Sequence, residues 1–500
     1  MWGLSLTSYV VTVANRVRGR FTPFYTRGSL FALIAFAAIA TGVAVELISP
    51  ANRPLLYPAL GVLWLALTFV GIVWRRDRRL PVFEIGTLFV ASTAVYAVVP
   101  LIGFMAMQGR WTTWTDNRLL FYEFNARELG SFGWRNAVYL LAFIMTYLIV
   151  RKRYCAGSTP VASVPPQLIT SLGIIIVGQY AFKWFMSHFY GVDLDVSYAD
   201  LSQVAQAVSQ TPLLLLQVTL IILAAVLLVK QAILIILIRH WRSLRWRFAL
   251  LVWLALETTV VVIRMGGRGD AVRLLLSFAV LYDRFARPLR AKWVVAGGVA
   301  LLAGFLVQGH LRGAFALNDL TPANVLTTSN EFQSLFSTAF DLYKRQQLGT
   351  LINVPWQIHW SDLYMLIPQQ VLPFEKINPA DWYLGIMGVH DVGVGFMFGV
   401  MSQAVLGFGW IELAIRGAVL GILLGFFHRW YVRHASNFWV TLLYLFVTIW
   451  IYYTYRATSF WILHFVVYQF IPVFVVAKLI QAGLSRRIPF LHAPEPVRAS

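Results

Sequence analysis

Long apolar runs broken by short polar turns dominate the chain from Ser29 to Ile480. Their lengths approach the ~20 residues a helix needs to cross a bilayer, so the pattern predicts a succession of membrane-spanning helices. Twelve spans are expected, over 29–49, 55–74, 82–107, 135–150, 167–188, 211–238, 248–263, 271–285, 293–308, 409–427, 436–455 and 459–480. The fold class is therefore an all-α polytopic membrane protein, with residues 1–500 as a single integral membrane domain. One connection breaks the rhythm: residues 309–393 form a loop of about 85 residues, and long ordered loops usually carry function. Trp356, Trp360, Trp382 and the patch LYMLIP predict helices lying in the membrane interface within it. The glycine-studded stretch DVGVGFMFGVMSQAVLGFG predicts a short re-entrant helix packed inside protein.

Composition supports the pattern, with 59% hydrophobic and only 12% charged residues against the soluble norm. A net charge of +20 would suggest nucleic acid for a soluble protein, but here the cations cluster beside apolar runs. The connections 1–28, 75–79, 151–153, 239–247, 284–292, 428–434 and 478–500 hold 25 of the 41 Lys and Arg. By the positive-inside rule those connections and both termini are cytoplasmic, and 108–134, 189–210, 264–270 and 309–393 face outward. The opening segment, with Arg16, Arg18, Arg20 and Arg27, lacks a small-residue cleavage site and is not expected to be a removable signal peptide. A single cysteine, Cys155, excludes an intramolecular disulfide framework and a thiolate zinc site.

Candidate chemistry concentrates on the outward side. Arg264, Arg268 and Arg273 surround a glycine-rich turn, "RMGGRGD", that opens a helix. Arginine is uncommon in outer connections, glycine permits close backbone approach, and a helix N-terminus is electropositive. Together these describe a phosphate or pyrophosphate site, which Arg312 could join. The plainer alternatives are snorkelling to lipid headgroups or pairing with Glu257, seven residues before Arg264. Arg456, in YYTYRATSFW, reads first as an interfacial anchor among tyrosines and second as a further cation for the pocket. The large loop offers Glu331, His359, Asp362, His390 and Asp391 as proton acceptors, with His390, Asp391 and Glu331 preferred.

Of the intramembrane charges, Glu412 and Arg416 are four apart and can pair on one helix. Glu84, Lys183 and Lys230 lie nearer span ends and read as snorkelling side chains. Asp193 and Asp195 form a commonplace Asp-x-Asp, and no metal site or cofactor is expected. There is no His-Glu-x-x-His, P-loop or Rossmann fingerprint.

Three elements taken together carry a resemblance: the turn at Gly267–Gly269, the stretch Ile367–Lys376 (IPQQVLPFEK), and the run Phe396–Gly425. The chain resembles the Wzy-type oligosaccharide repeat-unit polymerases of O-antigen and exopolysaccharide assembly. That resemblance implies a metal-independent glycosyltransferase of GT-C type in the bacterial inner membrane, with 309–393 as a large, partly helical periplasmic loop. It implies undecaprenyl-diphosphate-linked oligosaccharide as substrate, a surrounding of membrane lipids, and a chain-length regulator as partner. Arg264, Arg268, Arg273 and Arg312 would hold the diphosphate, and His390, Asp391 or Glu331 would be the base. The rival expectations are an O-antigen ligase or a peptidoglycan-polymerising glycosyltransferase and, from another class, a secondary transporter or lipid-linked oligosaccharide flippase.

Overall fold

The computed structural model describes residues 27–77, 83–106, 125–151, 166–190, 213–241, 243–263, 268–287, 289, 291–312, 331–351, 353–367, 371–388 and 398–487. Among them the regular structure is entirely helical. Hydrocarbon offers no partner to a backbone amide, so apolar segments satisfy their N–H and C=O groups internally. Six helical segments are long and apolar enough to cross a membrane: Pro50–Asp77, Ile85–Ala106, Ala126–Val150, Gln167–Phe189, Trp410–His434 and Ile462–Leu484. The apolar runs at Leu213–Arg239, Leu244–Ile263 and Ala291–Arg312 are also helical.

Several elements depart from the boundaries expected above. The helix expected over 135–150 begins at Ala126, because Asn125 caps it by accepting a hydrogen bond from the Arg127 amide at 2.9 Å. The run 436–455 divides into Phe438–Trp450 and a single turn, Tyr453–Arg456. The 14-residue helix Arg268–Leu281 continues as a π turn, Tyr282–Ala286, and the last segment carries a second π turn at Val466–Phe470.

The best-packed unit is Arg53–Asp77, Ile85–Ala106, Ala126–Val150 and Trp410–His434, named α1 to α4. Gly417, Gly421 and Gly425 of α4 recur every fourth residue on the face toward α3. Small residues at this spacing let backbones approach, which is how membrane helices gain packing without a hydrophobic drive. A Cβ at Gly417 would stand 2.4 Å from the Tyr139 carbonyl oxygen, and one at Gly421 would stand 2.6 Å from that of Phe143.

At the end of this unit where α1 finishes, Arg151 forms a buried ion network with Asp77 and Glu84. Tyr147 donates to Glu84 at 2.6 Å, and the His428 Nδ1 and Tyr444 hydroxyl are 2.9 Å apart. Glu84 does not snorkel as expected: it is only 4% exposed, because Arg151 supplies the counter-charge inside the bundle. Lys230 also has a specific partner, Glu257 at 2.5 Å, while Arg264, its other suggested mate, lies outside the described residues.

The large loop is partly helical, as expected, with Glu331–Gln347, Trp356–His359, Ser361–Tyr364 and Pro379–Met387, and the helix Val400–Leu406 follows it. Glu331–Gln347 (α5) lies along the bundle end through Phe336, whose ring is 5.4 Å from Phe104 and 5.3 Å from Phe132. Val400–Leu406 is buried at every residue, which matches the expected short helix packed inside protein.

Candidate functional site

The loop end of the bundle assembles charged groups from elements far apart in sequence. Glu331 is the first residue of α5, where the helix dipole favours a carboxylate. It accepts a hydrogen bond from the Tyr96 hydroxyl, carried on α2. The Tyr96 ring is fixed by Phe332 at 4.8 Å and by stacking on Tyr455 at 5.2 Å. Arg456 closes the turn Tyr453–Arg456, and its Nη2 lies 3.4 Å from the Glu331 carboxylate. Its Nη1 donates to the Tyr453 hydroxyl at 3.2 Å.

Arg273 arrives from a third direction, the second turn of Arg268–Leu281. Its guanidinium lies over the Trp450 ring at 4.2 Å and donates to the Tyr452 hydroxyl at 2.9 Å. A cation held over an indole face and bonded to a phenol is fixed in direction while keeping its charge. Tyr452 links the two cations. Arg273 donates to its hydroxyl and Arg456 to that of Tyr453, and the two rings lie 4.9 Å apart. Burial opposes the charge on Arg456, but the Glu331 carboxylate and the surrounding tyrosines outweigh it, and the guanidinium is held above its usual value. The outcome is two fixed guanidinium groups and one carboxylate in an aromatic wall formed by Trp450, Tyr452 and Tyr453.

A second cluster positions this wall. Arg416, in the second turn of α4, pairs with Asp362 and, at 2.7 Å, with Glu412. The other Asp362 oxygen accepts from the Phe460 amide at 3.3 Å, just past Arg456. Gln403 donates to the Ile358 and His359 carbonyls at 3.2 and 3.1 Å. The expected Glu412–Arg416 pair is present, and Asp362 joins it, only 4% exposed, with Arg416 on one oxygen and the Phe460 amide on the other.

Of the expected diphosphate ligands, Arg273 is at the site. Arg264 lies outside the described residues, as do His390 and Asp391 among the expected bases. Arg268 opens its helix and Arg312 ends Ala291–Arg312, but their side chains are outside what is described. Glu331 is at the site, paired with Arg456. Tyr96, Trp450 and Tyr452 carry no sequence signal of a site, being aromatic residues in apolar runs. Among the described residues no group of His, Cys, Asp and Glu is placed to hold a metal ion. No protein-family profile matches the chain, and neither a curated protein nor a solved structure does.

Proposed function

We propose that the chain is a membrane glycosyltransferase that polymerises oligosaccharide repeat units carried on a polyprenyl diphosphate. In this reading it has twelve spans and a GT-C-like arrangement, sits in the bacterial inner membrane with both termini cytoplasmic, and works at the periplasmic face. The observation that carries it is the gathering of Arg273 on Tyr452 and of Arg456, paired with Glu331, on the adjacent Tyr453, from three separate elements at the end of the bundle that bears the large loop.

The chemistry needs these groups. An acceptor-sugar hydroxyl oxygen bonds to the anomeric carbon of the donor chain. The bond from that carbon to the diphosphate oxygen breaks, its electron pair leaves with the diphosphate, and the hydroxyl proton passes to Glu331. Charge grows on the departing diphosphate, so prepositioned guanidinium groups stabilise the transition state more than the ground state. Each charge-assisted contact is worth about 1.5–3 kcal/mol, roughly ten- to a hundredfold in rate. Arg264, Arg268 and Arg312 are proposed to complete the cationic side, with His390 or Asp391 as the other candidate base. A chain-length regulator is the proposed protein partner.

The test is replacement of Arg273 by Ala and of Glu331 by Gln, with surface polysaccharide resolved on a gel. The expected result is single repeats in place of a ladder from variants that melt like the parent. A normal ladder from both would remove the reading. Unattached polymer on loss of the protein would favour a ligase.

A second reading, a transporter or flippase, is favoured by one observation: Lys230 and Glu257 pair at 2.5 Å between two apolar helices. Intramembrane ion pairs of this kind mark transport paths. Movement of lipid-linked oligosaccharide across vesicles, abolished by Glu257→Gln while polymer length is unchanged, would select it.

A further inference from the structure

Four large apolar side chains stand out of the loop at Trp356, Trp360, Leu363 and Ile367, with exposures of 53, 58, 53 and 39%. Their spacing of four, three and four puts them on one face of a helical path that the turn at Trp360 interrupts only locally. The opposite face, turned into the protein, holds Ser361 and Asp362 beside Ile358 and Tyr364, all buried. Polar groups inside and apolar groups outside invert the arrangement of a water-exposed helix.

The segment also bonds to two helical segments long and apolar enough to cross a bilayer. Asp362 pairs with Arg416, and Tyr468 donates to the Leu366 carbonyl at 3.1 Å. Arg416 and Tyr468 lie six residues after Trp410 and Ile462, the first residues of those segments. On α4, the helix that carries Arg416, Ile411 and Ile415 are 67 and 56% exposed.

We propose that Trp356–Ile367 is embedded in the bilayer leaflet on the loop's side, with lipid acyl chains as the partner of its outer face. Lipid is the occupant because the segment bonds to two helices long and apolar enough to cross a bilayer, one of which exposes Ile411 and Ile415, and because tryptophan favours the boundary between headgroup and chain. The inference does not depend on the polymerase reading, since it needs only a membrane protein.

Full-length protein carrying Cys155→Ser receives a nitroxide at Trp360→Cys or, separately, at Leu363→Cys, and is reconstituted into phosphatidylcholine vesicles. Gln347→Cys serves as the water control and Ile411→Cys as the lipid control. Oxygen concentrates in acyl chains and a nickel chelate in water, so their relative effect on the label reports its surroundings. The expected oxygen-to-nickel ratio at 360 and 363 is several-fold above that at 347 and close to that at 411. A ratio equal to that at 347 would overturn the proposal, as would shielding from both reagents, which would mean a protein partner or a second copy. Two label positions keep the test decisive if one substitution prevents folding, and insensitivity to the loss of polymer activity separates it from the reading above.

Discussion

Gly417→Ala tests how the helix packing supports the site. The added Cβ would stand 2.4 Å from the Tyr139 carbonyl oxygen, about 1.0 Å short of the 3.4 Å at which ordinary contact begins. The obstacle is backbone, so no side-chain rotation relieves it, and α3 and α4 must separate by about that distance. Overpacking of this kind costs about 1–3 kcal/mol. The displacement reaches the site, because α3 carries Asn136, which accepts from the Tyr455 hydroxyl at 2.6 Å, and Tyr139, which donates to the Thr454 carbonyl at 3.4 Å. Thr454 and Tyr455 belong to the turn that ends in Arg456. A misplacement near 1 Å costs about a hundredfold in rate. The assay is polymerisation of lipid-linked repeats in proteoliposomes, normalised to folded protein, beside thermal melting in detergent. Gly42→Ala, with nothing within 4 Å of the new Cβ, is the control and should change neither measurement. If Gly417→Ala melts and polymerises like the parent, the two backbones are not in contact and the argument from packing to site fails.

Arg151→Met strands Asp77 and Glu84 without their counter-charge in a site where all three side chains are at most 2% exposed. The expected cost is about 3–5 kcal/mol, read as a lower melting temperature that Glu84→Gln partly restores; unchanged melting would mean that the network does not stabilise the bundle. Tyr96→Phe keeps the ring between Phe332 and Tyr455 but removes the hydrogen bond to Glu331. A charge-assisted contact contributes about 1.5–3 kcal/mol to stability, so the variant should melt at a lower temperature and polymerise more slowly per folded protein, and an unaltered rate would detach Tyr96 from the site.

The membrane helices were legible in the sequence because hydrophobic length is a strong local signal, and Ile85–Ala106 follows its apolar run closely. Boundaries set by single contacts were less so: the early start at Ala126 depends on the Asn125 cap. Charge pairing across helices was not legible at all. Glu84 meets Arg151 and Lys230 meets Glu257 through packing between segments 67 and 27 residues apart, which no local pattern encodes. Of the site, Arg273 and Glu331 stood out as charges in unusual places, whereas Tyr452 and Trp450 acquire meaning only once Arg273 lies against them. The partners of Asp362, Arg416 and the Phe460 amide, are likewise 54 and 98 residues away in the chain and were not legible.

The central claim is that Arg273 and Arg456 serve one anion. A double-mutant cycle on binding of undecaprenyl diphosphate to the protein in nanodiscs measures this directly, with Arg273→Lys, Arg456→Lys and the pair compared with the parent. Groups that share a ligand couple by about 0.5–3 kcal/mol, so the paired variant should lose distinctly less affinity than the product of the single losses. Strict additivity, or a dissociation constant indifferent to both substitutions, would contradict a shared diphosphate site.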